Sequence, residues 1–110
     1  VTLSTLSEKI SRTLLRKPML VGDPDKSIQK IAWCTGAAQS YFEAAIQQGI
    51  DAFITGEISE QTVHIARESG VAFIAAGHHA TERYGVQALG DHIAQQFNIQ
   101  HQFIDIENPV

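Results

Sequence analysis

The residues best suited to chemistry lie in the segment "GHHATER", residues 77–83. His78 and Glu82 are four positions apart, and side chains with that spacing lie on the same face of a helix, about 6 Å apart at Cβ. An imidazole nitrogen and a carboxylate oxygen on one face can bind the same divalent ion. Zinc, iron, manganese and nickel all accept these two ligand types, so the pair predicts a metal site without selecting the metal. His79 could contact Glu82 as a supporting partner.

A second interpretation of this segment needs no metal. A glutamate in the first turn of a helix is stabilised by the helix dipole, and exposed histidines are common. Two ligands also do not complete a site, because even catalytic zinc usually has three protein ligands. The remaining histidines are interpreted as structural or surface residues: His64, His92 and His101. The sequence therefore predicts half of a metal site.

Two further segments carry polar groups at predicted strand ends. In "CTGA", Thr35 and Gly36 stand where a strand becomes a helix, and backbone N–H groups there could receive a phosphate. The segment lacks the G-x-x-x-x-G-K-[ST] pattern of a P-loop, so a tight turn capped by Thr35 is the alternative. Glu57, in "TGEIS", is a candidate catalytic acid or base or a contact to an outer-sphere water; the alternative is a surface carboxylate.

Apolar patterns in the rest of the chain predict the helices and strands that position these segments. Thr5 and Glu8 have the spacing of a capping box at the start of a helix over 5–16, which Pro18 ends. The extended piece 19–22 and a turn follow. Apolar runs then predict strands at 30–34, 51–55, 71–76 and 101–106, and helical spacing predicts helices at 37–49, 59–70 and 80–97.

Helices between strands predict an α/β fold, a single domain over residues 1–110, with a mostly parallel or mixed sheet covered by helices on both faces. Ligands of such sheets bind beyond the carboxyl ends of the strands, so "CTGA", "TGEIS" and "GHHATE" should meet at one rim. Trp33 and Phe53 are predicted in the core and Cys34 is predicted to be buried, whereas Tyr41 and Tyr84 are predicted to be exposed.

The composition and charge of the chain argue against several classes of protein. The 110 residues carry a formal charge of −4 without a basic run, which argues against nonspecific nucleic-acid binding. No apolar run approaches the length of a membrane span. Cys34 is the only cysteine, so no internal disulfide can form, and a reducing compartment, most simply the cytoplasm, is expected. The chain begins at Val1 rather than Met, which suggests a piece of a longer protein.

The order of the segments along the chain is a more specific signal of a protein family than any single segment. "IAWCTGAAQSYFEAA", "GIDAFITGEISEQTVHIARESG", "FIAAGHHATERYGVQAL" and "FIDIENP" occur in this order. This succession closely resembles the carboxyl-terminal half of the YbgI-like dinuclear-metal-centre proteins, also called GTP cyclohydrolase 1 type 2 homologues. The resemblance covers nearly the whole chain, from about residue 16 to residue 110.

The resemblance implies two similar α/β halves around a cleft, two divalent metal ions between them, and ring-shaped hexamers. It assigns His78 and Glu82 as metal ligands; an adjacent His-His pair and a later His and Asp would come from a first half that does not precede Val1 here. That amino-terminal half would be the chain's missing partner. The implied activity is metal-dependent hydrolysis of a nucleotide-like substrate.

Two alternatives belong to other classes. The protein could be a metal-containing binding or assembly module without turnover. The isolated chain could also be an inactive half, which predicts exposed apolar surface and self-association.

Overall fold

A computed structural model describes residues 1–110 as one four-stranded sheet with helices on both faces, which confirms the α/β prediction. The sheet has the order β1-β4-β3-β2, with β2, β3 and β4 parallel and β1 antiparallel to β4. The elements are α1 (Leu3–Leu14), β1 (Met19–Val21), β2 (Ile31–Trp33), a 3-10 turn (Gln39–Tyr41), α2 (Phe42–Ile46), β3 (Ala52–Thr55), α3 (Glu60–Ser69), β4 (Ala72–Ala75) and α4 (His78–Phe97).

Alternating side chains of β3 and β4 form a separate core on each face of the sheet. Phe53 and Phe73 point to the face covered by α2 and α3, where they meet Phe42 with ring centroids 4.9 to 5.7 Å apart. Ala52, Ala72 and Ile74 point to the opposite face, where α1 covers them. Because successive strand residues alternate between faces, two adjacent central strands serve both layers.

The helix boundaries follow local capping chemistry. Thr2, not the predicted Thr5, caps α1: its hydroxyl accepts a hydrogen bond from the Thr5 N–H, so the helix begins three residues earlier in the chain than a Thr5 cap would place it. Ser59 caps α3 in a capping box with Thr62. Gly70 ends α3 at φ 72°, as predicted from its position after the apolar pattern.

Several local predictions are wrong. Residues 101–106 form no strand: this segment contacts α4 through side chains, including a pair between His101 Nδ1 and Asp91 Oδ1 at 3.2 Å. The predicted helix 37–49 is reduced to the 3-10 turn and the five residues of α2. Trp33 is 70% exposed and Cys34 is also exposed, because β2 is an edge strand whose residues have little cover.

Helix α4 extends well beyond the sheet. Its apolar stripe lies on one face as predicted, but Val86, Leu89 and Phe97 are all more than half exposed. Only Ala80 of the 20 residues is buried, and the molecule measures 51 Å along its longest axis. Most of α4 therefore has no partner layer within this chain. None of the helices is long and apolar enough to cross a membrane.

Candidate metal centre

The three predicted strand ends meet at one rim of the sheet. The Gly56 N–H donates to the Gly36 carbonyl at 2.8 Å, and the Gly77 N–H donates to the Gly56 carbonyl at 2.9 Å. A Cβ at position 56 would lie 2.6 Å from the His78 Cα and 2.8 Å from the Gly77 carbonyl oxygen. Glycine is needed at position 56 because the three backbone segments approach too closely for a side chain. This approach brings the first turn of α4 against the two neighbouring loops.

The two predicted metal ligands are in contact near the start of α4. Because this helix begins at His78, Glu82 lies in its second turn and not, as predicted, in the first turn. His78 Nε2 lies 3.0 Å from Glu82 Oε2, and the two side chains are 37% and 51% exposed. Two ligand atoms that each lie about 2.1 Å from one ion are separated by about 3.0 to 3.4 Å, so the observed spacing fits a shared divalent ion. The nitrogen and oxygen donors suit a first-row divalent metal.

Glu57 holds the other nitrogen of the same imidazole. Its Oε1 lies 2.6 Å from His78 Nδ1, although 21 residues separate the two in sequence. Glu57 therefore stands behind His78, while Glu82 stands beside the nitrogen that faces outward. The catalytic role predicted for Glu57 remains a prediction.

The carboxylates change the acid-base behaviour of His78. The hydrogen bond to Glu57, followed by the charge of Glu82, raises the pKa of His78 above its ordinary value. Two carboxylates beside one imidazole thus favour a positive charge at this position. A divalent ion would take the place of the Nε2 proton as the positive charge, so the arrangement fits a metal electrostatically.

The described chain does not complete such a site. No group of three or more His, Cys, Asp or Glu side chains is arranged to hold an ion. Glu57 does not count as a third ligand because it contacts the nitrogen of His78 that faces away from Glu82. His64 and His92 are exposed elsewhere on the surface. The half-site therefore stays a prediction.

The remaining predicted positions have different surroundings. Gly36 lies beside the ligand pair, and its N–H donates to Thr81 Oγ1 at 3.0 Å. Thr35 caps no helix, so the capping role given to it as the alternative is wrong. The phosphate contact predicted at Thr35 and Gly36 stays a prediction. His79 turns away from Glu82, and its Nε2 lies 2.8 Å from Asp105 Oδ1.

Two threonines that the sequence analysis missed connect the three loops. Buried Thr55 donates to the Gly36 carbonyl and accepts from the Ala38 N–H, both at 3.2 Å. Thr81 Oγ1 accepts from the Gly36 N–H and donates to the Gly77 carbonyl at 2.9 Å. Their place at a strand end and three residues after His78 was visible in the sequence, but their partners lie in other segments.

Arg16 is a third missed residue. Its guanidinium packs against Gly77, where a Cβ would lie 2.9 Å from Arg16 Cζ. Its Nη1 is buried without a hydrogen-bond partner. Arg16 also lines a cleft of about 480 Å³ together with Lys17 and Glu57. A cation-bearing cleft thus opens beside the candidate ligands.

Comparison with known proteins identifies relatives along the full length of the chain. The model of the family described as Duf34/NIF3 (NGG1p interacting factor 3) matches residues 1–109. A protein of Pseudomonas aeruginosa named "GTP cyclohydrolase 1 type 2 homolog" is 64% identical over 94 residues, which are 86% of this chain and 37% of that protein. A protein of the same name from Allochromatium vinosum is 52% identical over 109 residues, 99% of this chain and 43% of that protein.

Solved structures of similar proteins have the same fold as this chain. A structure described as protein ybgI, of unknown function, is 49% identical with a TM-score of 0.95, covering all of this chain and 45% of the other. A Bacillus cereus protein described as related to NIF3 is 25% identical with a TM-score of 0.84, covering 32% of that protein. The chain spans less than half the length of these relatives. Given the match along residues 1–109, this chain belongs to the Duf34/NIF3 family, among the YbgI-like GTP cyclohydrolase 1 type 2 homologues.

Proposed function

We propose that this chain supplies one half of the metal centre of a divalent-metal-dependent hydrolase, with His78 and Glu82 as ligands. The observation that carries the proposal is the 3.0 Å separation of His78 Nε2 and Glu82 Oε2 at an open rim of the sheet. The further ligands would come from protein outside these 110 residues. The lengths of the relatives support this, since each extends well beyond the matched region.

The chemistry proposed for the complete site is hydrolysis. A pair of divalent ions, when bound, would activate a water molecule and stabilise the oxyanion that develops on the substrate. The contribution of this chain is to hold a neutral imidazole and a carboxylate in fixed positions at the rim. The short links among the strand-end glycines support that rigidity.

The proposed substrate is a nucleotide or another purine-like compound with an anionic group. Two cations, Arg16 and Lys17, line the same cleft as Glu57, which favours a negatively charged ligand there. The name shared by the relatives, GTP cyclohydrolase 1 type 2 homolog, points to the same class of substrate.

The second candidate is a metal-containing binding or assembly module without turnover. The observation that favours it is the exposed apolar stripe of α4, whose residues Val86, Leu89 and Phe97 are 58%, 59% and 72% exposed. A stripe of this kind marks a surface that another protein layer covers. We also propose the ring-shaped hexamer implied by the resemblance and the cytoplasmic location expected from the single cysteine. Neither feature distinguishes the hydrolase from the binding module.

Metal content is the first test. We expect the 110-residue chain to retain less than about a tenth of an equivalent of metal, because two ligands do not close a site. A longer protein that contains this chain and the first half should hold about two equivalents. A full equivalent on the short chain that disappears in His78→Ala would contradict the half-site and place the other ligands within this chain or its symmetry mates.

Turnover separates the two candidates. The longer protein, loaded with Mn²⁺ or Zn²⁺, is assayed for hydrolysis of GTP and related nucleotides. Turnover that is lost in His78→Ala and retained in His92→Ala, an exposed histidine away from the rim, supports the hydrolase. Nucleotide binding without turnover supports the module.

A further inference from the structure

We propose that Glu57 is a positioning residue that sets the orientation and tautomer of His78. Glu57 Oε1 accepts the Nδ1 proton of His78, which leaves the Nε2 lone pair free beside Glu82 for a metal ion. A metal-ligating histidine usually donates its other ring N–H to a carboxylate or carbonyl in this way. The role of Glu57 toward the metal rests on the function proposed above, whereas its effect on the imidazole does not.

The two carboxylates contact different nitrogens at different distances. The contact of Glu57 with Nδ1 is 2.6 Å, whereas that of Glu82 with Nε2 is 3.0 Å. In neutral imidazole one nitrogen carries the proton and the other accepts, so only one carboxylate can receive a hydrogen bond. We assign Nδ1 as the donor because its contact with a carboxylate is the shorter of the two. Glu82 and the Nε2 lone pair then face each other as two acceptors, an arrangement that a cation stabilises.

The backbone holds Glu57 in place for this role. Gly56, directly before it, donates to the Gly36 carbonyl and accepts from the Gly77 N–H. Ser59, two residues later, begins α3 in a capping box. Glu57 is therefore fixed between a strand end and a helix start, and its side chain is one-third exposed at the cleft. An acid that relays protons to a substrate would need to leave His78, whereas a positioning residue stays on it.

The first test measures the tautomer without any metal. The chain is labelled with ¹⁵N-histidine, treated with a chelator, and studied by long-range ¹H–¹⁵N correlation at a pH where His78 is neutral. We expect the Nδ1–H form in the wild type and a shift toward the Nε2–H form, which free histidine prefers, in Glu57→Ala. Glu57→Gln should keep the Nδ1–H form because its amide oxygen can still accept. An Nε2–H form in the wild type overturns the proposal without requiring any variant to fold.

Glu82→Ala is the matched control for the tautomer. It removes a carboxylate from the same imidazole, but from the other nitrogen, so the Nδ1–H form should persist. If Glu82→Ala changes the tautomer as much as Glu57→Ala does, the assignment of Glu57 is wrong.

A second readout links Glu57 to metal binding. Zn²⁺ is titrated into the chain and followed through the His78 ring resonances, which report weak binding as well as strong. Glu57→Ala should weaken binding about 10- to 100-fold, the usual cost of losing a partner behind a ligating histidine. Glu8→Ala, the same change at an exposed position of α1, should leave binding unchanged. Unchanged binding in Glu57→Ala contradicts the positioning role.

The two readouts separate this inference from the proposed function. If the wild-type chain shows the Nδ1–H form and the longer protein binds no metal, the metal centre is wrong and the Glu57–His78 pairing stands. If metal binds and the tautomer is Nε2–H, the metal centre stands and the role of Glu57 is wrong.

Discussion

Gly36→Ala tests whether the close packing of the rim holds Glu82 in place. Gly36 has φ 74°, a left-handed conformation that an alanine adopts only at a cost of about 1–2 kcal/mol. An added Cβ would also overlap Glu82 Oε1 and lie 3.2 Å from Glu82 Cδ and 3.3 Å from His78 Nε2. The substitution therefore strains the backbone and occupies the space of the metal ligand.

Gly49→Ala separates these two effects. Gly49 has φ 72° and a Cβ there would meet nothing within 4 Å, so it carries the same backbone strain without a collision. Because the Glu82 carboxylate is the end of a flexible side chain, it can swing away at little cost. We expect both variants to lose about 1–2 kcal/mol of unfolding free energy, equal to within about 0.5 kcal/mol.

Metal binding should distinguish the two variants. Displacing Glu82 removes one of two ligands, so Gly36→Ala should weaken Zn²⁺ binding by at least about 10-fold, and Gly49→Ala should not weaken it. Urea unfolding gives the stabilities and a Zn²⁺ titration followed by the His78 resonances gives the affinities. Wild-type affinity in Gly36→Ala, or an equal loss in Gly49→Ala, would refute the view that Gly36 shapes the ligand pair.

Three further outcomes follow from the structure. Phe73→Ala should lower the unfolding free energy by about 3–5 kcal/mol, since the ring is fully buried between two other aromatic rings; a loss below about 1 kcal/mol by urea titration would contradict this packing. The N–H groups of Lys30 and Gln29 lower the pKa of Asp51 below its ordinary value of 3.8. The stability from this contact is present above that value and lost as the pH falls through the lowered pKa, so Asp51→Asn should flatten the acid limb of unfolding and an unchanged limb would contradict the contact. Leu89→Glu on the exposed stripe of α4 should reduce self-association in light scattering, and unchanged association would exclude the stripe as the contact.

The accuracy of the sequence predictions depended on how local each cause was. The ends of α3 were predicted well because Ser59 and Gly70 act through neighbouring backbone groups. Strands β3 and β4 were predicted because both cores use them, which makes their residues apolar on both faces. The exposure of Trp33 could not be predicted, because an apolar strand looks the same in sequence whether it lies at the centre or the edge of a sheet. The segment 101–106 has strand-like composition, but nothing local shows that it lies against α4 instead of joining the sheet.

The same difference between local and distant causes applies to the candidate site. The sequence by itself determined that His78 and Glu82 share a helical face, since a spacing of four positions brings side chains together in any helix. It also placed three glycine-containing turns at one rim, because parallel strands end on the same side of a sheet. Only the tertiary structure decided that Glu57 contacts Nδ1 of His78 and that Thr55 and Thr81 connect the turns. Those contacts join residues far apart in sequence, and their geometry depends on how closely three backbone segments pack, which no local pattern encodes.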